Sequence, residues 1–340
     1  MPGEPITLSI VVPVFNEAAV LTAFFEEMDR VRAGALRGEG PLEIILVDDG
    51  SKDASWNLIT SQCQRDPAYV GVKLSRNFGH QLALAAGLET ARGEAVVSMD
   101  ADLQDPPDVI ANLLAAHRQG YDVVYATRAD RGKESWGKRV TAKLFYIAIE
   151  KLSGVPIPRN TGDFRLMSRR SLAELAKLRE SHRFLRGLVP WIGFPQTQVI
   201  YDRGDRAAGK THYAWHKMLR LAADGIASMS QAPLRLAYAV SLALFSVFVG
   251  YILYVVVKHF LFNEELVPGW TSIMSAITIF GTIQLLLLGV FGEYLGRVYE
   301  QVKRRPLYIV QEILRAGAGS PPAHDATPGR AARQTPGARP

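Results

Sequence analysis

Two carboxylates, two residues apart, follow a short apolar run and could together bind a hard cation. Ala95 to Met99 is apolar and predicts a buried strand, and Asp100 and Asp102 come directly after it. In open α/β sheets, ligands bind at the carboxyl ends of the strands, and Mg²⁺ is held by one or two carboxylates together with substrate phosphates. The pair therefore predicts a divalent metal that holds a nucleotide diphosphate, with a plain solvated turn as the alternative.

Asp105 has a different explanation. Pro106 and Pro107 follow it, and an Asp before a proline at the first helical position is typical of a helix N-cap. We therefore expect Asp105 to cap the next helix and to take no part in chemistry.

Acidic residues follow two further predicted strands. Leu8 to Val14 is followed by Glu17, and Ile44 to Val47 is followed by Asp48 and Asp49. Because the carboxyl ends of parallel strands meet at one edge of a sheet, acids that are distant in the sequence would converge there. A turn followed by a helix cap would explain one acid after the second strand but not both.

The order of the predicted elements indicates the fold class. Strand, polar turn and helix alternate four times, so we expect an α/β fold with a right-handed, doubly wound, mainly parallel sheet. The chain has no Gly-x-x-x-x-Gly-Lys loop and no Gly-x-Gly-x-x-Gly after the first strand, which favours a metal-held diphosphate. The predicted strands are 8–14, 44–47, 70–74, 95–99 and 122–126, and the predicted helices are 18–31, 54–63 and 81–90.

Two long uncharged runs follow this domain. Leu236 to Val257 and Thr271 to Gly292 would each be about 33 Å long as a helix, which is enough to span a membrane. Cations flank the pair on its outer sides, so the preceding domain and both termini are expected to be cytoplasmic. No signal peptide is predicted before the first strand.

Two other segments have the spacing of amphipathic helices. Trp136 to Leu152 fits a protein core or a membrane interface equally, whereas Trp215 to Met229 leads into an uncharged run and favours the interface. The tail from residue 316 is rich in Ala, Gly and Pro and is predicted to be disordered. The expected divisions are 1–212, a cytoplasmic domain; 213–235, an interfacial helix; 236–257 and 271–294, two spans joined by an extracytoplasmic loop at 258–270; 295–315, a basic juxtamembrane helix; and 316–340, the tail.

Charge and cysteine content exclude some classes of protein. The net charge is +6, but no nucleic-acid motif accompanies it, and the basic residues near the spans suit anionic lipid headgroups. The single Cys63 excludes an internal disulfide and fits a reducing compartment. A membrane partner is therefore expected and a nucleic acid is not.

Six motifs in order give the chain a family resemblance. It contains SIVVPVFNE, ILVDDGSKD, SRNFGHQLALAAGL, MDADLQDPP, TGDFRLM and RFLRGLVPW, followed by the two spans. In these it resembles the polyisoprenyl-phosphate glycosyltransferases of the GT-A, family 2 type, such as bactoprenol glucosyltransferases, with dolichyl-phosphate mannose synthase as a relative. The resemblance covers residues 8–312 and leaves only the tail outside.

The resemblance implies a set of site residues. It implies a nucleotide pocket and a site for Mg²⁺ or Mn²⁺, in which a neutral Gln oxygen adds coordination without adding charge. The nucleotide pocket would comprise Pro13, Asn16, Glu17, Asp49 and Asp100. The metal would be held by Asp102 and Gln104, with Asp100 reaching the metal or its waters; the implied catalytic residues are Asp100, Asp102 and Asp163.

The lipid acceptor implied by the resemblance needs cations. Asp163 is expected to contact the sugar or to act as a base, with an ion pair to Arg165 as the alternative. His212 stands where related sequences often carry lysine. Candidate ligands for the lipid phosphate are Arg128, Arg139, Arg203, Arg206 and Lys210.

The expected reaction is the inverting transfer of one hexose from a nucleotide sugar, with UDP-glucose favoured, to undecaprenyl phosphate at the cytoplasmic face of the membrane. A mannose synthase that uses GDP-mannose is one alternative, and a non-catalytic anchor that binds nucleotide sugars is another. A processive polysaccharide synthase fits less well, because the chain has no Gln-x-x-Arg-Trp motif and fewer spans. The oligomeric state stays open, with self-association through the spans as one option.

Overall fold

The computed structural model describes residues 5–129, 161–180, 183–202, 232–262 and 269–315. Both predicted amphipathic segments and the tail lie outside these residues. So do four of the predicted phosphate ligands, namely Arg139, Arg203, Arg206 and Lys210.

The first half of the chain alternates strands and helices as predicted. The strands are apolar runs buried on both faces, which is typical of strands with helices packed on each side. The elements are β1 (Leu8–Val14), α1 (Ala18–Ala33), β2 (Leu42–Asp48), α2 (Ser55–Arg65), β3 (Tyr69–Leu74), α3 (His80–Thr90), β4 (Ala95–Ser98), α4 (Val109–Arg118) and β5 (Val123–Arg128).

The remaining described elements complete the sheet and add two long helices. They are β6 (Thr161–Ser168), α5 (Arg169–Lys177), α6 (Leu185–Trp191), β7 (Gln196–Tyr201), α7 (Ala232–Phe262), α8 (Trp270–Val302) and β8 (Val310–Arg315). The eight strands lie in the order β7-β5-β6-β4-β1-β2-β3-β8.

The sheet is mixed, and less parallel than the sequence predicts. β1 pairs in parallel with β2 and β4, β2 with β3, and β5 with β7. β6 lies between β4 and β5 and runs antiparallel to both, and β8 runs antiparallel to β3. The doubly wound pattern therefore holds for the first four strands and is extended by antiparallel strands on both sides.

Apolar side chains fill both faces of the sheet. One cluster lies between the sheet and helices α1, α2 and α4, and the other lies between the opposite face and helices α3, α5 and α6. Gly87 brings α3 close to the sheet, because a Cβ at this position would lie 2.3 Å from a Val11 methyl carbon and 2.8 Å from one of Val47. The start of α3 is thereby fixed relative to the strand ends.

The C-terminal segment differs from the expected juxtamembrane helix at 295–315. α8 ends at Val302, Arg304 has a left-handed φ of 47°, and residues 310–315 form the edge strand β8. The strand is favoured over a helix here because Tyr308, Val310 and Ile313 pack against the apolar cluster on the α3 side of the sheet. Residues 295–302 are helical as expected, but the expected helix does not continue over residues 310–315.

Among the described residues, one helical segment is long and apolar enough to cross a membrane. It runs over residues 279–302 and none of its length is buried in the protein. A shorter apolar segment lies at 237–251 within α7. The prediction of two spans is thus supported for the second and not confirmed for the first.

Candidate active site

A cavity of about 490 Å³ lies at the carboxyl ends of β1, β2 and β4, where the sequence predicts that acids converge. Four of the five residues expected at the nucleotide pocket line it: Pro13, Glu17, Asp49 and Asp100. It is also lined by Val14, Phe15, Asn77, Gly79, His80, Ala83, Ala101 and Asp102.

Asn16, the fifth expected residue, serves the loop after β2 instead. Its Oδ1 accepts a hydrogen bond from the Lys52 backbone at 2.8 Å, and its own N–H donates to the Ser51 hydroxyl oxygen at 3.0 Å. Its φ of 55° is left-handed, a conformation that Asn adopts more readily than most residues. Asn16 therefore shapes the turn beside the cavity and is not among the side chains that line it.

The loop after β2 also caps α1. Asp53 Oδ2 accepts from the Ala18 N–H at 3.1 Å, and the Ser55 hydroxyl oxygen accepts from the Glu17 N–H at 2.9 Å. These bonds satisfy N–H groups at a helix start that has no cap of its own. The helix that carries Glu17 is thus tied to the neighbouring strand end.

Asp49 holds the loop that leads into α3. Its two carboxylate oxygens accept hydrogen bonds from the backbone N–H groups of Phe78 at 2.7 Å and Gly79 at 2.9 Å. Burial raises the pKa of Asp49, and these two bonds oppose the rise. The carboxylate both lines the cavity and places His80 at its wall.

The turn after β4 supplies oxygen atoms that suit a divalent metal. Asp102 Oδ1 accepts from the Gln104 backbone N–H at 3.1 Å, across a left-handed Leu103 with a φ of 53°. The side-chain oxygen of Gln104 is buried and has no hydrogen-bond partner among the described residues. An orphaned amide oxygen and a carboxylate in one turn are chemically suited to Mg²⁺ or Mn²⁺, so the residue types of Asp102 and Gln104 fit the expected ligand pair.

The charges around this turn also favour a cation. Burial raises the pKa of Glu17, and the carboxylates of Asp102 and Asp100 add to the rise. Burial likewise raises the pKa of Asp100, against the opposing effect of His80. Within the described ranges no three His, Cys, Asp or Glu side chains are grouped as a metal site.

Asp163 lies at the centre of a buried charge network. Its side chain is 6% exposed and contacts two arginines, with Arg165 at 2.7 Å and Arg186 at 3.2 Å. Nε2 of His80 and the side-chain amide of Gln81 each lie 3.2 Å from its Oδ2. The ion pair to Arg165, which the sequence offered as the alternative role for Asp163, is therefore present.

The network opposes a role for Asp163 as a general base. Burial by itself would raise the pKa of this carboxyl, but the hydrogen bond from His80 and the two guanidinium charges outweigh it and lower the pKa. The bond to Asp163 in turn raises the pKa of His80, whose Nε2 also lies 3.7 Å from Asp100. His80 thus joins the Asp163 network to the acid at the end of β4.

Asp105 is not a helix cap. α4 begins at Val109, and the buried Asp105 carboxylate instead accepts hydrogen bonds from the Tyr201 hydroxyl and the Arg128 guanidinium. Arg128, a predicted ligand of the lipid phosphate, is 32% exposed and pairs with Asp105 at 3.1 Å. The local sequence predicts that Asp105 caps a helix, but its carboxylate is instead bonded to Tyr201 of β7, which is distant in the sequence.

Sequence reasoning missed His80, Gln81 and Arg186. The polar run from Ser75 to His80 follows β3 directly, so the strand-end rule applied to the acids would have found the first two. Arg186 lies within the motif RFLRGLVPW, but it reaches Asp163 from α6, 23 residues away in the sequence, and no local pattern indicates that contact.

Comparison with known proteins gives the family. The chain matches the model of Glycosyl transferase family 2 over residues 9–176 and that of the GtrB C-terminal hairpin over residues 232–298. The uncharacterized glycosyltransferase YkcC of Bacillus subtilis (strain 168) is 42% identical over 307 residues, covering 90% of this chain and 94% of YkcC. The prophage bactoprenol glucosyl transferase homolog of Escherichia coli (strain K12) is 38% identical over 306 residues, covering 90% and 99%.

A solved structure is also similar. Glucosyl-3-phosphoglycerate synthase from Mycobacterium tuberculosis, in complex with Mn²⁺, UDP-glucose and phosphoglyceric acid, aligns with a TM-score of 0.45 at 18% identity, covering 66% of this chain and 78% of that one. The family assignment depends on the sequence relatives and the two family models. The chain belongs to glycosyltransferase family 2 and carries a C-terminal hairpin of the GtrB type.

Proposed function

We propose that the protein transfers one hexose from a nucleotide sugar, with UDP-glucose as donor, to a polyisoprenyl phosphate at the cytoplasmic face of a membrane. The observation that carries this proposal is the cavity at the sheet edge, which Asp100 and Asp102 line, with the orphaned side-chain oxygen of Gln104 in the same turn. The lipid acceptor is proposed by analogy with the relative in Escherichia coli, which is named for bactoprenol.

The cavity suits a nucleotide diphosphate sugar. Phe15 is 43% exposed at its wall and offers an aromatic face to a base, while Asp49 and Glu17 offer acceptors to base or ribose donors. Asp102 and Gln104 would hold Mg²⁺ or Mn²⁺, with Asp100 near them. A bound cation would offset the negative charge of the departing diphosphate.

The acceptor requires little help from a base. A phosphate monoester has a second pKa of about 6, so its attacking oxygen is mostly ionised at neutral pH. We propose that this oxygen forms a bond to the anomeric carbon as the bond to the diphosphate breaks on the opposite face, which inverts the configuration. Asp163, whose pKa is lowered, would then contact the sugar or orient His80 and Arg186, and would not accept the proton.

The C-terminal segment supports the proposed placement at the membrane. The Ser75 N–H, just after β3, donates to the Ile309 carbonyl at 3.0 Å, so the chain leaving α8 reaches the domain at the carboxyl edge of the sheet, where the cavity lies. Because β8 belongs to the same sheet as β1, the chain between them must cross a membrane an even number of times. We therefore propose that α7 and α8 both span it, with the flanking cations on the cytoplasmic side.

The lipid phosphate would approach the cavity from the membrane. Arg128 is the one predicted phosphate ligand among the described residues, and its partial exposure leaves room for a phosphate oxygen beside Asp105. Arg186, 38% exposed next to Asp163, is a further cation at the same site. We retain Arg139, Arg203, Arg206 and Lys210 as proposed ligands.

The deciding experiment supplies the full chain, in native membranes, with undecaprenyl phosphate and a panel of radiolabelled nucleotide sugars. We expect one sugar per lipid from UDP-glucose and loss of transfer when a chelator is added. Asp102→Asn serves as the inactive control. Transfer from GDP-mannose alone would replace the donor, polymer formation would indicate a polysaccharide synthase, and no transfer from any donor would favour a binding protein.

A further inference from the structure

A second cavity lies where α8 meets the globular domain. It has a volume of about 670 Å³, and three arginines line it: Arg179 from the segment after α5, and Arg304 and Arg305 from the turn after α8. Gln301, Val302, Pro306 and Leu307 complete the lining, and no carboxylate is among the lining residues. We call this cavity the arginine pocket.

The pocket is built by contacts between two parts of the chain. The side-chain amide of Gln301 donates to the Arg179 carbonyl at 2.8 Å, which fixes the end of α8 against the segment after α5. Arg304 adopts a left-handed conformation and its N–H donates to the Gln301 carbonyl at 3.2 Å. Glycine would adopt this backbone at lower cost, so an arginine here keeps a cation at the pocket despite the strain.

The guanidinium groups of the pocket lack strong anionic partners in the described part of the chain. Arg179 lies 3.7 Å from Glu89, which is too long for a hydrogen bond, and Glu89 is already bonded to Arg183 and to the Tyr308 hydroxyl. No ion pair joins Arg304 or Arg305 to another described residue. Arg304 and Arg305 are therefore available to an anionic ligand, and Arg179 gives up only one long ion pair to join them.

The position of the pocket indicates the source of that ligand. The apolar, exposed segment of α8 ends at Val302, which itself lines the pocket. If α8 spans the membrane, as the proposed function requires, the pocket lies at the level of the lipid headgroups on the catalytic side.

We propose that the arginine pocket binds the phosphoryl group of an anionic phospholipid, such as phosphatidylglycerol. Arginine matches phosphate oxygens bidentately, and the volume is within the range of sites for small ligands. The pocket shares no lining residue with the catalytic cavity, so the ligand is a lipid of the surrounding membrane and not the sugar acceptor. A bound headgroup would fix the height of the catalytic cavity above the membrane.

The test is native mass spectrometry of the purified full chain in detergent, titrated with phosphatidylglycerol or phosphatidylcholine and without any nucleotide sugar. The variant is Arg304→Gly with Arg305→Gln, because glycine relieves the left-handed backbone and protects folding. At about 5-fold per arginine, we expect phosphatidylglycerol affinity to fall about 25-fold, with phosphatidylcholine binding unchanged. Arg179→Gln should lower the affinity in the same direction.

The matched control is Arg37→Gln with Arg65→Gln, which removes two exposed cations elsewhere and should leave the affinity unchanged. Equal loss in the control, or no loss in the pocket variants, would overturn the proposal. Inorganic phosphate that competes as strongly as the lipid would overturn a lipid as the ligand, and displacement by equimolar undecaprenyl phosphate would reassign the pocket to the acceptor. Because no donor is present, this result is independent of whether the chain transfers sugar.

Discussion

Asp163 is surrounded by more positive charge than one carboxylate requires. Arg165, 3% exposed, is close to it at 2.7 Å, and Arg186 and His80 approach its second oxygen at 3.2 Å. An ionised group held in this way has fixed geometry and low basicity. The carboxylate fixes the positions of Arg186 and of the His80 ring, which lines the cavity, by a charge that does not titrate near neutral pH.

His80 should make stability depend on pH. Its pKa is raised by the bond to Asp163, so the stability it contributes is fully present below the unfolded pKa of about 6.5 and is lost as the pH rises through the folded value. His80→Gln keeps a hydrogen-bond donor and removes the charge. We expect wild type to exceed the variant in thermal unfolding temperature by more at about pH 5.5 than at about pH 8.5.

The full chain in detergent, followed by tryptophan fluorescence, is adequate for this measurement. The lowered pKa of Asp163 keeps that carboxylate ionised across the whole range, so the change with pH reports on the ring. A difference between wild type and variant that is constant with pH would show that folding does not raise the pKa of the His80 ring.

Asp102 and Gln104 are predicted to hold the metal. Asp102→Asn should lower Mn²⁺ affinity and sugar transfer by at least about 100-fold, and Gln104→Leu, which removes the orphaned oxygen at similar volume, should lower both in the same direction. Asp108→Asn is the matched control, because this nearby carboxylate is 47% exposed and pairs with Arg30. Manganese binding measured by electron paramagnetic resonance gives a readout separate from activity; unaltered binding in Asp102→Asn would contradict the assignment.

Strand ends were a sound guide to acids and a poor guide to their partners. Asp49, Asp100 and Asp102 lie at the cavity as expected, because strand direction alone brings them to one edge. The interpretation of Asp105 was wrong because its partner Tyr201 is 96 residues away, and no local pattern carries that information. Arg186 was missed for the same reason.

The packing of helix α3 against the sheet positions His80, the first residue of this helix, at the site. Gly87 faces Val11 and Val47 at distances that leave no room for a methyl group, so Gly87→Ala should push the helix outward and displace His80. We expect a loss of about 1–3 kcal/mol in the free energy of unfolding and a fall in sugar transfer. Chemical denaturation and the transfer assay measure the two effects.

A suitable control exists in another helix. Gly281 lies in α8, where an added Cβ would meet no atom within 4 Å of the protein. Gly281→Ala should therefore leave transfer unchanged and slightly favour the helix. Equal activity in Gly87→Ala and Gly281→Ala would show that the close approach of α3 does not position the site.

Strand β8 joins the segment after α8 to the core of the domain. Arg315 lies 3.1 Å from Glu43, which is 3% exposed and also accepts from the Ser9 hydroxyl. Arg315→Ala leaves a buried carboxylate without its cation, so we expect a loss of about 2–4 kcal/mol in the free energy of unfolding, measured by urea denaturation. The control is Arg92→Ala, which removes an exposed arginine that precedes β4 and should change the stability little.

The two ends of the sheet differ in how well the sequence predicts them. Strands β1 to β5 were located to within a few residues, because apolar runs between turn signals are specific for buried strands. β8 was mistaken for helix because Val-Gln-Glu-Ile-Leu-Arg contains residues that favour helices, and its conformation is determined by pairing with β3. The position of β6 between β4 and β5 also depends on contacts that no local pattern encodes.

The chain leaves the sheet, forms two long helices and then returns to the same sheet. β1 and β8 share that sheet, and α7 and α8 lie between them in the sequence. If α7 and α8 both span the membrane, as proposed, the residues between them lie across the membrane from both the domain and β8. The proposed topology therefore makes a prediction at three points of the chain.

Single-cysteine labelling in intact bacterial cells tests this topology. Lys52→Cys and Glu312→Cys place thiols on exposed parts of the domain and of β8, and Asn263→Cys places one between the two long helices. A membrane-impermeant maleimide should label Asn263→Cys in intact cells, and the other two only after the membrane is opened. The native Cys63 gives little background, because it is 3% exposed and burial raises the pKa of its thiol to about 11. Labelling of Glu312→Cys from outside would place β8 across the membrane from the domain and break the pairing with β3, which would overturn both the two-span topology and the placement of the catalytic cavity at the cytoplasmic face.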